Sequence, residues 1–122
     1  MKALLGIETL GIDGLRRLID RAGWHAGTLA AGERVDPTLS GTVVGTLFFE
    51  PSTRTRISFE VAARRLGADV AVFDPEQSSM SKGETLQDTV LTVAAIGMDV
   101  LVVRHEEVGT PDRVHRWTGL PV

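Results

Sequence analysis

Three short runs of β-branched and apolar residues, at 42–49, 68–73 and 99–103, alternate with stretches whose apolar residues recur at helical spacing. That alternation leaves a chain of this length few options. Strand, helix and strand in sequence form a right-handed parallel unit, so the expected class is α/β: a doubly wound parallel sheet flanked by helices. The third run is apolar without interruption and reads as a central strand. Ahead of the first run, Ile12, Leu15, Leu18 and Ile19 oppose Arg16, Arg17, Asp20 and Arg21, which predicts an amphipathic helix over about 12–22. Gly23 or Gly27 would end it, leaving 27–41 as a connection. Phe59, Ala62, Ala63 and Leu66 mark the buried face of a helix over 53–66, closed by Gly67. Thr85 with Asp88 fits a capping box, and Leu86, Val90, Val93 and Ala94 give the inner face of a helix over 85–97, stopped by Gly97. A short helix over 111–117 completes the pattern.

The first strand-to-helix turn is unusual in content. Glu50 and Pro51 are followed by Ser52, Thr53, Arg54, Thr55 and Arg56. Pro51 presets the turn, and Ser52 suits a helix N-cap. The N–H groups of the first helical turn then point outward with the positive end of the helix dipole behind them, and Arg54 adds a forked donor suited to phosphate. The pattern points to an anion site; a capped helix with solvated arginines is the plainer alternative. Arg104 and His105 follow the third strand directly, and a ten-residue polar loop, 74–83, follows the second. Ligand sites of open α/β sheets lie beyond the carboxyl ends of the strands, so three strand ends converge on one edge.

Composition removes several other functions. With 122 residues the chain holds one domain with a core. Thirteen basic and 16 acidic residues give −3, which argues against a nucleic-acid or anionic-membrane surface. There is no cysteine, hence no disulfide framework, thiolate metal site or cysteine nucleophile. His25, His105 and His115 show no metal-ligand spacing, so neither metal nor cofactor is expected. No apolar run approaches the ~20 residues of a membrane span and no signal pattern opens the chain, so a cytoplasmic location is expected.

The segment from Ser52 to Glu60 closely resembles the signature of the aspartate and ornithine carbamoyltransferases, whose Ser-Thr-Arg-Thr-Arg element binds carbamoyl phosphate. The resemblance implies that Ser52, Thr53, Arg54 and Thr55 hold the phosphate, and that Arg54 and Thr55 also reach the carbamoyl side. Residues 78–89 resemble the serine-and-lysine loop of the aspartate branch. That loop enters a neighbouring subunit's site, so Ser78 and Lys82 are implied to contact ligand on the aspartate and phosphate side. Arg104 matches the family arginine that binds carbamoyl phosphate; the chain has Glu106 where the family has a proline. By resemblance, Arg54, Thr55, Arg104 and Lys82 are the catalytic set, and a homotrimer is implied.

Carbamoyl phosphate is a mixed anhydride, already activated. Transfer to an amine needs the reactants held in attack geometry and donors where charge develops, not a covalent intermediate. The expected reaction is transfer to the amino group of L-aspartate, in pyrimidine biosynthesis. The resemblance covers nearly all of this chain but only the first part of the family's length. Residues 1–122 then constitute an incomplete enzyme, a carbamoyl-phosphate-binding domain without the amino-acid-binding domain. A complex with a chain supplying that domain is the expected alternative to a homotrimer. Rival readings are transfer to ornithine or another amine, and a non-catalytic anion-binding or oligomerisation module.

Overall fold

The computed structural model describes residues 3–76 and 82–122. A 3₁₀ turn at Ile7–Thr9 leads into helix α1, Gly11–Ala30, followed by strand β1, Val43–Phe48, and helix α2, Thr53–Arg65. Strand β2, Asp69–Phe73, helix α3, Leu86–Ile96, strand β3, Val100–Arg104, and helix α4, Thr110–Thr118, complete the order. The three strands form one parallel sheet in the order β2-β1-β3. The α/β class is therefore as expected, and so is the parallel pairing.

The position of β3 differs from expectation: β1 is the middle strand of the described sheet, and β3 flanks it. Leu101 is nonetheless buried, because the chain's last residues run beside it and its N–H donates to Pro121 O at 2.9 Å. Apolar content reports burial on both faces, and a flanking strand covered by a returning segment has the same content as a central one. Leu47, Val90, Leu101 and Val114 form the main core, uniting β1, α3, β3 and α4. Val44, Ala63 and Ala68 form a smaller core beneath α2.

Two helices depart from their expected form. α1 continues past Gly23 and Gly27 to Ala30, and the chain turns away after the Ala31 cap at Gly32, whose φ is +72°. A glycine inside a helix costs only about 1 kcal/mol, and the Leu29 position prolongs the apolar stripe. α2 spans its expected residues, but Phe59 and Ala62 are exposed and Ala63 alone of the four apolar positions is buried. Gly67 closes α2 as expected. Its φ is +85°, and a Cβ there would sit 2.8 Å from Pro37 Cβ. Thr85 caps α3, accepting from Asp88 N–H at 3.1 Å. The reciprocal half of the capping box is not made, since an aspartate is one methylene shorter than the glutamate that usually reaches back.

Candidate functional site

β1 ends at Phe48 and α2 starts at Thr53, so four residues carry the chain from sheet to helix. Ser52 occupies the N-cap position, and its carbonyl accepts the first bond of α2 from Arg56 N–H at 2.9 Å. Its hydroxyl makes no cap bond. The N–H groups of Thr53, Arg54 and Thr55 consequently have no partner one turn behind them. Among the described helices α2 alone has no acidic residue in its first turn; α1, α3 and α4 carry Asp13, Asp88 and Asp112 there. The positive end of the α2 dipole is therefore left uncompensated by its own first turn. This is the arrangement that accepts a small anion.

Arg104 enters from the neighbouring strand. It pairs in register with Phe48, and its carbonyl accepts from Phe49 N–H at 2.9 Å. Its guanidinium meets the Glu50 carboxylate at 3.3 Å, with both side chains about two-fifths exposed (42% and 39%). Glu50 in turn lines a cleft of about 230 Å³ with Ser52, Thr53, Arg56 and Asp74 at the carboxyl ends of β1 and β2. One carboxylate thus stands between Arg104 and the Ser52–Thr53 turn. Sequence reasoning did not single out Glu50; its place immediately after the strand and before Pro51 was the available signal.

The remaining expected residues are distributed over this edge. Thr55 and Arg104 line one cavity together, with Phe48 and Phe59, while Ser52 and Thr53 line the cleft beside Glu50. Arg54 is exposed, makes no hydrogen bond or ion pair among the described residues, and borders the groove between α1 and α2 with Ile57 and Val61. Arg54 and Arg104 therefore line different cavities in this conformation. Lys82 is exposed. Ser78 lies outside the described residues. Among the described residues no group of three His, Asp or Glu side chains could hold a metal ion.

The turn after Arg104, where Glu106 replaces the family's proline, is held by side chains. His105 Nδ1 accepts from Glu107 N–H at 2.9 Å, which puts the ring proton on Nε2, and the ring packs against Phe49 at 5.3 Å. Arg113 donates to Glu107 at 2.8 Å and to Thr110 Oγ1 at 3.0 Å. The hydrogen bond from Arg113 holds the Glu107 carboxyl below its ordinary value, and the same bond raises that of Arg113. His105 is a structural residue of this turn.

The family described as "Aspartate/ornithine carbamoyltransferase, carbamoyl-P binding domain" matches residues 2–122. The aspartate carbamoyltransferase catalytic subunit of Microcystis aeruginosa is 47% identical over 111 residues, covering 91% of this chain and 34% of that protein. That of Prochlorococcus marinus is 48% identical over 111 residues, covering 91% of this chain and 32% of its own. Among solved structures, aspartate transcarbamoylase from Trypanosoma cruzi in complex with carbamoyl phosphate superposes with a TM-score of 0.89 at 36% identity, over 98% of this chain and 37% of that one. The catalytic subunit from M. jannaschii gives 0.85 at 33% identity, over 99% and 39%. The chain spans about a third of the length of the curated relatives it matches.

Proposed function

Since the chain belongs to the carbamoyl-phosphate-binding domain family of the aspartate and ornithine carbamoyltransferases, we propose that it supplies the carbamoyl phosphate site of an enzyme that carbamoylates the amino group of L-aspartate. The observation that carries this reading is the α2 N-terminus, whose first turn has unpartnered N–H groups and no acidic residue, beside an arginine on the adjacent strand end. Ser52, Thr53, Thr55 and the turn amides are the phosphate donors. Arg54 has no partner among the described residues, so its long side chain can turn from the groove toward a bound dianion. Arg104 reaches the carbamoyl oxygen and the bridging phosphate oxygen, where charge grows as the amine attacks and phosphate leaves. Glu50 must release Arg104 for this; the ion pair is exposed enough to be worth at most about 1 kcal/mol.

Lys82 and Ser78 serve the aspartate and phosphate side of a neighbouring subunit's site. The whole of 1–122 acts as one carbamoyl-phosphate domain, working in a trimer. Aspartate is favoured over ornithine by the loop at 78–89 and by the relatives, which are aspartate enzymes. Pyrimidine biosynthesis in the cytoplasm is the setting that fits; no helix among the described residues is long and apolar enough to cross a membrane. The anion turn by itself also fits a second reading, a non-catalytic anion-binding module.

Phosphate release from carbamoyl phosphate separates the two readings. The purified chain is expected to give no aspartate-dependent release alone, and to give it when the complementary two-thirds of a relative is added. Aspartate-dependent turnover by the isolated chain would contradict the division of labour. Binding of phosphate without release under any complementation would leave the module reading in possession.

A further inference from the structure

The contact between β1 and α2 is not apolar throughout. Glu60 Oε1 accepts from Thr46 Oγ1 at 3.3 Å and from Arg56 Nη1 at 2.9 Å. Thr46 is fully buried in the middle of β1, and the Arg56 and Glu60 side chains are only 33% and 16% exposed. Taking such a pair out of water carries a desolvation penalty that apolar side chains of similar volume avoid, so stability alone does not account for it. Its geometry does something that apolar packing does not. A smooth helix face can rotate by several degrees against a sheet with little loss of contact. A carboxylate fixed to one strand hydroxyl cannot.

What the pair fixes is the first turn of α2. Arg56 is one turn before Glu60, its N–H makes the first hydrogen bond of the helix to Ser52 O, and its side chain forms a wall of the cleft that holds Ser52 and Thr53. From Thr46 through Glu60 to Arg56, the strand is linked to the place where the helix opens. We infer that Glu60 is a positioning residue for the anion turn: anchored on Thr46, it holds Arg56, and through it aims the Ser52–Thr55 hydroxyls and amides at the sheet edge. The inference rests on the anion-site reading above. It also keeps the Arg56 charge tied to a carboxylate and away from the ligand.

Charge and position predict opposite signs for Glu60→Gln, which separates them. The substitution is nearly isosteric and removes one negative charge. If charge alone mattered, freeing Arg56 would tighten binding of a dianion. If Glu60 positions the turn, inorganic phosphate binds about tenfold more weakly, because small misplacements of a binding constellation are costly. The experiment measures phosphate affinity by calorimetry, and amide hydrogen exchange without ligand at Arg56, whose N–H closes the first turn on Ser52 O, on the 122-residue chain and on Glu60→Gln. Weaker binding with faster exchange is expected. Equal or tighter binding, or unchanged exchange, overturns the inference. Faster exchange in the variant, with no phosphate binding by the parent, keeps the positioning role and removes the ligand assigned to the turn. Should Glu60→Gln fail to fold, the Arg56→Met/Glu60→Leu double variant restores packing without the pair. Parental affinity in that variant would equally sink the idea.

Discussion

At the scale of single residues, the candidate site is a competition among charges. Arg104 already has an anionic partner in Glu50, so a ligand must displace a carboxylate to reach it. Two substitutions therefore act in opposite directions. Arg104→Gln removes a charge-assisted donor and is expected to weaken carbamoyl phosphate binding by about 1.5–3 kcal/mol. Glu50→Gln removes the competitor and is expected to tighten binding, by no more than about 1 kcal/mol because the pair is exposed. Parallel titrations of the two variants check this; equal affinity in all three proteins would place Arg104 outside the site. The placement of Ser52, Thr53, Thr55 and Arg104 at one sheet edge was legible from sequence, since a strand end fixes where the residues after it lie. Glu50, Arg56 and Glu60 were not. Charged residues at strand ends and on helices are usually solvated, and only coordinates show which of them turn inward.

Among elements, the strands were the readable part. Their β-branched runs matched β1, β2 and β3 to within a residue or two, because β-branched and apolar residues suit a pleated surface. α2 misled. Its apolar stripe suggested that Phe59 and Ala62 meet the sheet, whereas the sheet side carries Arg56, Glu60 and Ala63. α1 runs on to Ala30, beyond its expected end, because Gly23 and Gly27 do not stop it. None of its twenty residues is buried in this chain, and Trp24 and Ile19 are 50% and 61% exposed. A helix without a tertiary partner draws little stability from propensity alone. Its amides are therefore expected to exchange far faster than those of β1, and protection equal to that of β1 would show that α1 is covered in solution. The loop before α4 carries a pH dependence. Glu107 titrates below its ordinary value in the folded chain, so its stabilising bond to Arg113 is present above the unfolded pKa and is lost as pH falls through the folded one. Trp117 stands 5.9 Å from that guanidinium. In a Trp24→Phe background its fluorescence should change with a midpoint below the ordinary glutamate range. A midpoint at or above that range would mean the bond does not form.

For the molecule as a whole, the class of fold and the family were recoverable from residues 42–104, because the turn chemistry and the strand ends agree on one edge of one sheet. Among the described residues nothing buries α1 or the outer face of α2, so their apolar stripes alone do not report a core. The opening turn of α2, with Arg104 beside it, is expected to bind one small dianion without help from any other chain. Calorimetric titration of the purified 122-residue chain with carbamoyl phosphate tests it directly. The predicted result is saturable one-to-one binding with a dissociation constant of about a millimolar, close to 4 kcal/mol, displaced by inorganic phosphate. The contradicting result is an absence of binding heat through millimolar ligand, with the turn amides unshifted.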